Sequence, residues 1–174
     1  MNRIKKMYPE ILAEDIYEHL KEERKHLVRP IVLTDEEFVK RWQEAEYDLN
    51  PISNDIPFYQ TLKGERVRSK SEMIIADRLL AKGIPYKYEC PLKVGKKIIH
   101  PDFTILRVSD RKIVYYEHCG KTDDPEYAED MVSRVNDYNS AGIILGDSLF
   151  MTFETSKTPL DVRVLDNMIR TNFK

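Results

Sequence analysis

The chain predicts an α/β domain, a mixed β-sheet flanked by helices, preceded by a helical N-terminal extension. Three observations carry that expectation. Segments rich in Val, Ile, Tyr and Phe with period-two alternation follow one another between residues 84 and 119. Segments with a 3.6-residue apolar stripe stand before and after them, and Gly or Pro punctuates most junctions. The 174 residues, 41% hydrophobic and 33% charged, suffice for one domain with a sizeable core plus an extension.

In chain order, "YPEILAEDIYEHLKEERKHL" spaces Ile11, Leu12, Ile16 and Leu20 along one helix face. "LTDEEFVKRWQEAEYDL" opens with Thr34 and Glu37, a capping-box pattern, and sets Phe38, Trp42 and Ala45 on one side of a second helix. "NPISNDIP" carries two prolines and two asparagines in eight residues and reads as a linker. Residues 1–57 are therefore expected as the helical extension and 58–174 as the main domain.

The main domain is expected to start with a helix in "GERVRSKSEMIIADRLLAKG", striped by Ile74, Ile75, Arg78, Leu79 and Leu80 and stopped at Gly83. "IPYKYECPLKV" and "KKIIHPDFTILRV" read as two strands joined by a turn at Gly95. "RKIVYYEHC" is a third, linked to its predecessor through the hairpin "RVSDRK". "DPEYAEDMVSRVNDYNSAG" is a helix with Pro125 near its start and Gly142 after its end. "GIILG" is wholly apolar and fits a short buried central strand. "SLFMTFE" reads as a further strand, and "PLDVRVLDNMIRTNF" as a closing amphipathic helix.

Several classes are excluded by composition. No apolar run is long enough to span a bilayer, and the N-terminus lacks a secretory apolar core, so a cytoplasmic protein is expected. Cys90 and Cys119 have no C-x-x-C spacing, and reduced thiols are expected rather than a disulfide or a zinc site. The formal net charge of −2 conceals a basic block: residues 61–100 hold ten Lys/Arg against four Asp/Glu, while the flanking regions are acidic. A basic surface beside an acidic pocket suits a polyanionic partner, although a solvated face explains a charge run equally well.

The acids are the chemical signal. Asp102 follows Pro101 at the head of one strand, and Glu117 lies near the end of the next. A carboxylate within a sheet is costly unless paired, protonated or bound to a cation. Alternation turns Tyr115, Glu117 and Cys119 to one face and Tyr116 and His118 to the other. Two carboxylates at one level of neighbouring strands favour a hard cation such as Mg²⁺ between them, completed by a backbone carbonyl and water. Glu72, at the start of the first main-domain helix, is a third acid. With Ser69 it also forms an S-x-x-E capping box, and the two roles are compatible.

Glu72, then "PD" at Pro101–Asp102, then Glu117 in an apolar strand resembles the PD-(D/E)XK nuclease superfamily over about residues 63–146. "GERVRSKSE…PDFTI…YYEHCG…DDPEYA" is similar to bacterial and phage-type members of that superfamily with an E-H-x-G third motif. The resemblance implies a restriction-endonuclease-like αβββαβ core and a divalent-metal-dependent nuclease, with DNA as the expected substrate. It implies Asp102 and Glu117 as Mg²⁺ ligands helped by the His118 backbone carbonyl, Glu72 as the helix acid, and Mn²⁺ as a substitute ion. The superfamily lysine falls at Cys119. Lys121, swinging back past Gly120, is the favoured replacement for the catalytic role, with Lys70 and His118 as alternatives. Arg66, Arg68 and Lys70 would meet backbone phosphates together with the helix N-terminus, and Arg134 and Tyr138, four apart on one helix, would approach the substrate. Two other readings stand beside it. One is a catalytically weakened fold that binds nucleic acid as an adaptor. The other is a protein-interaction module whose N-terminal helices do the work, for instance by forming a homodimer.

Overall fold

A computed structural model of the chain describes residues 19–25, 33–48, 50–52 and 58–174. The chain divides into two compact units, Met1–Glu44 and Ala45–Lys174. In the first, the described helices are α1 (Glu22–Lys25) and α2 (Asp35–Glu44). The expected Thr34 cap forms, with the Glu37 N–H donating to Thr34 Oγ1 at 3.2 Å, and Ala45 falls just beyond the helix end. Ile11, Leu12 and Ile16 lie outside the described residues, as do residues 53–57 of the expected linker.

The second unit is α/β. Its four-stranded mixed sheet has the order β3 (Tyr86–Tyr88), β6 (Phe103–Arg107), β7 (Lys112–Cys119) and β8 (Leu149–Phe153). The β3–β6 and β6–β7 pairs are antiparallel, and β7 and β8 are parallel. Two small hairpins stand apart: β1 (Tyr59–Gln60) with β2 (Arg66–Val67), and β4 (Leu92–Val94) with β5 (Lys97–Ile99) around the expected turn at Gly95. The helices are α3 (Lys70–Ala81), α4 (Pro125–Ser140) and α5 (Val162–Asn172). Among the described residues, no helix is long and apolar enough to cross a membrane.

Local chemistry explains the boundaries. Ser69 caps α3 by accepting from the Glu72 N–H, a bond typically worth about 1 kcal/mol. Past the other end, Gly83 takes φ +67°; its N–H donates to Leu80 O, and that of Ile84 to Leu79 O, which closes a Schellman motif. Asp124 caps α4 with Pro125 in its first turn, and Gly142 repeats the Schellman ending. The buried face of α3 is Ile75, Ala76 and Leu79, while Arg78 and Leu80 point out, so the expected stripe is shifted by a fraction of a turn.

The two faces of the sheet carry separate cores. Tyr86, Tyr88, Phe103, Tyr116 and Phe150 pack on one side with Ile75 and Leu79 of α3, Leu165 and Ile169 of α5, and Phe173. Their rings meet edge to face, as for Tyr116 and Phe173 at 6.1 Å. On the other side Cys119, Leu149 and Met151 pack with Tyr138 of α4, and with Leu92 and Ile99 of the β4–β5 hairpin. Strand β7 alternates between these cores, as its period-two pattern requires.

Three expected strands are corrected. "IPYKYECPLKV" breaks at Glu89, whose φ of +44° turns the chain, so β3 and β4 belong to different sheets. "KKIIHPDFTILRV" breaks at His100–Pro101–Asp102 into β5 and β6. "GIILG" is a turn rather than a central strand: Gly142 and Gly146 bracket it at φ +77° and +88°, and Ile144 and Leu145 are 44% and 54% exposed. Three apolar residues between two left-handed glycines are too few for a strand: Leu145 makes only an isolated bridge with Leu149, and β8 takes the parallel place beside β7 instead.

Candidate functional site

Asp102 and Glu117 sit on neighbouring strands near one end of the sheet, with Glu72 close enough to act on both through its charge. The β6–β7 register pairs Phe103 with Tyr116, and one step further it sets Asp102 against Glu117. Alternation turns Glu117 toward α4, where it is 1% exposed. There its Oε1 accepts from Tyr138 OH at 2.5 Å and its Oε2 from Arg134 Nη1 at 3.1 Å. Arg134 and Tyr138 can both reach it because a spacing of four puts them on the same helix face. Asp102 Oδ2 accepts from the His118 N–H at 2.6 Å. Glu72 Oε1 accepts from Ser69 Oγ at 2.8 Å, and its Oε2 accepts from the Arg68 N–H at 3.0 Å and Tyr88 OH at 2.6 Å. The capping role and proximity to the other acids thus coexist in Glu72.

The electrostatics follow from crowding. Burial pushes the Asp102 carboxyl well above the usual carboxylate range, and the charges of Glu117 and then Glu72 push it further, against the His118 N–H bond. Burial also raises Glu117, while Arg134 and Tyr138 pull it back down. Burial and then the Glu117 charge raise the Tyr138 phenol, so it stays a donor. Burial pushes the Cys119 thiol up to about 12, so it is neither a nucleophile nor an acid at neutral pH.

A cleft of about 390 Å³ opens over Asp102 and Glu117, lined also by Asn50, Arg68, Glu89, Ile98, Ile99, His100 and Arg134. Glu89 went unnoticed in the sequence. Its left-handed backbone is held by a two-pronged ion pair from Arg68 (Nε–Oε1 2.7 Å, Nη2–Oε2 3.1 Å) and by the bond from its N–H to Asp102 O at 3.1 Å. Its carbonyl lies 3.0 Å from His100 Nδ1. A positive φ at a non-glycine residue beside a cleft is backbone strain of the kind found at functional sites. The one sequence signal was a charge inside an apolar run. Asn50 carried none.

The expected cations divide. Arg134 touches Glu117 and keeps its side chain 46% exposed at the cleft wall. Arg68 lines the cleft but is engaged by Glu89, and Arg66 stacks 3.9 Å over the Phe58 ring. Lys70 and Lys121 are exposed and make no ion pair with Asp102, Glu117 or Glu72. The Gly120 N–H donates to Tyr127 OH, which ties down the backbone just before Lys121. The His118 ring faces the other side of the sheet, with Nδ1 2.9 Å from Thr152 Oγ1 and Nε2 3.3 Å from Glu154 Oε1.

Among the described residues, no three His, Cys, Asp or Glu side chains are gathered closely enough to hold a metal ion. The oxygens that could hold a divalent cation are a mixed set: those of Asp102, Glu117 and the His118 carbonyl. The N–H and C=O of one strand residue project to the same edge, and the His118 N–H already points at Asp102. Two crowded carboxylates, one driven toward its neutral form, are what a hard cation would relieve. Comparison of the chain with protein-family models, curated proteins and solved structures finds no match in any of the three.

Proposed function

We propose that this chain is a divalent-metal-dependent nuclease of the PD-(D/E)XK type, hydrolysing phosphodiester bonds in DNA. The observation that carries the reading is the pair of carboxylates on adjacent strands, with Asp102 driven toward its neutral form by burial and by Glu117. The element order supports it too: α3, three strands paired antiparallel (β3, β6, β7), α4 as a crossover, then β8 parallel to β7. Asp102, Glu117 and the His118 carbonyl would hold Mg²⁺ or Mn²⁺, with Glu72 behind them. The bound ion would supply a low-pKa water and charge neutralisation at the phosphate.

The protein's own groups have distinct tasks. Arg134, half exposed and within reach of the cleft, meets a phosphate oxygen and supplies the cation that Cys119 cannot. Tyr138 keeps Glu117 oriented by donating to its inner oxygen. The His118 N–H fixes the Asp102 rotamer. The fixed Arg68–Glu89 pair shapes another part of the cleft wall.

The test is to incubate the purified chain with plasmid and end-labelled oligonucleotides in Mg²⁺, Mn²⁺ or EDTA, beside the Asp102→Asn, Glu117→Gln double variant. Cleavage that needs metal and disappears in the variant establishes the reading. A folded protein that cleaves nothing and takes up no Mn²⁺ by calorimetry overturns it. One observation favours a second reading, binding without cleavage: both Glu117 oxygens already have protein partners, one of them a cation. In that case DNA affinity would survive Asp102→Ala and fall steeply with salt.

A further inference from the structure

A second cavity, of about 320 Å³, shares two walls with the carboxylate cleft: Asn50 and Glu89 line both. Its other walls are Tyr47, Pro51, Ile52, Tyr88, Glu65 and Arg66. The site described above uses none of Tyr47, Pro51, Ile52 or Glu65. A mostly apolar cavity of this size is at the lower end of those that hold small organic groups.

We infer that this cavity receives an unpaired nucleobase of the strand whose phosphodiester lies in the adjoining cleft. The inference rests on the nuclease reading and deepens it by naming the form of the substrate. Three features point to a base rather than to an aliphatic ligand. Two tyrosines line the cavity: Tyr47, held by donating from its OH to Tyr88 O at 3.0 Å, supplies an aromatic surface, and Tyr88, packed edge to face on Phe103 with its OH on Glu72 at 2.6 Å, is a fixed wall. Arg66 lines the cavity with its guanidinium 3.9 Å over the Phe58 ring, a guanidinium–aromatic pair of the kind on which bases stack. On the shared wall stands Asn50, whose amide makes no hydrogen bond within the described residues and so keeps a donor and an acceptor available to a base edge. The Glu65 and Glu89 carboxylates are tied to Lys63, Tyr86 and Arg68, so they frame the cavity without leaving a bare charge in it. A paired base cannot enter such a cavity, so the strand must be single or locally opened.

The experiment is fluorescence anisotropy in EDTA, where binding is read without cleavage. The probes are a labelled 20-mer duplex, the same duplex with one bulged adenine, and the single strand. The expected result is at least tenfold tighter binding of the bulged and single-stranded probes than of the paired duplex. Ile52→Trp, which fills the cavity, should remove the difference, and a 2-aminopurine at the bulge should change its fluorescence on binding to wild type only. If Ile52→Trp melts early, Asn50→Leu on the partly exposed wall decides, with an expected loss of three- to tenfold for the bulged probe alone. Equal affinity for all three probes, or a preference that survives both variants, overturns the inference and leaves metal-dependent cleavage untouched. Absence of binding to any probe counts against the nuclease reading as well.

Discussion

The two faces of the sheet hold acids on either side of β7 and treat them in opposite ways: Glu154 is partly exposed, whereas Glu117 is 1% exposed. On one face Glu154 accepts two bonds from Ser71 Oγ (3.0 and 2.9 Å) and one from the Leu160 N–H (3.0 Å), with His118 Nε2 3.3 Å away. Burial alone would raise it, yet the His118, Leu160 and Ser71 contacts hold it below the usual range. On the other face Asp102 and Glu117 sit together with one guanidinium and two further donors between them, and both are raised. The difference is that the donors around Glu154 hold it below its usual range, whereas Asp102 and Glu117, though bonded, stay raised by burial and crowding, a shortfall of positive charge. That shortfall is what a cation from solution can fill.

The comparison can be broken most forcefully at the chemical face. Asp102→Asn with Glu117→Gln should lower metal-dependent cleavage at least 100-fold while far-ultraviolet circular dichroism stays native. On the structural face the effect should appear in stability instead. Glu154→Ala strands the Ser71 hydroxyl and the Leu160 N–H, and is expected to cost about 2 kcal/mol, a Tm fall of about 4–8 °C by calorimetry.

Removing Arg134 should make the two faces more unlike. In Arg134→Gln, Glu117 becomes a buried acid with one donor fewer, so about 1–3 kcal/mol should be lost in EDTA. Added Mg²⁺ should then raise the Tm of the variant more than that of wild type; equal shifts would mean that the ion does not meet Glu117.

The single variant Asp102→Asn sharpens the same point through pH. The folded Asp102 value is raised above its unfolded value of about 3.9, so its contribution to stability is fully present below that pH and is lost as pH rises through the folded value. Asn keeps an acceptor for the His118 N–H without a charge. It should therefore stabilise the metal-free protein by about 1–2 kcal/mol at pH 7–8, and the gain should shrink to nothing near pH 4. A gain that does not change with pH would count against a raised Asp102. The smallest effect is expected at Lys121: Lys121→Ala should leave cleavage within about threefold of wild type if Arg134 supplies the cation, and a tenfold loss would return the role to Lys121.

The fold was legible where local rules act alone. Thr34, Ser69 and Gly83 mark helix ends through bonds to their near neighbours, and alternation in "RKIVYYEHC" sorted Glu117 from His118 because side chains on a strand must alternate. It was illegible where the chain had to choose between equally good local states. "GIILG" is as apolar as a buried strand, and only its Gly142 and Gly146 turns, seen in place, put it outside the sheet.

By itself the sequence determined that Asp102 and Glu117 would be neighbours, because a hairpin pairs whatever stands at matched distances from its turn. It also put Arg134 and Tyr138 on one helix face, because four residues make one turn. Only the tertiary structure decided that α4 would lay that face over Glu117 and that the Arg68–Glu89 pair would hold a left-handed turn at the cleft wall. It alone brought Asn50 to the wall between two cavities. Those choices depend on contacts between residues far apart in the chain, whose free energy no local pattern carries.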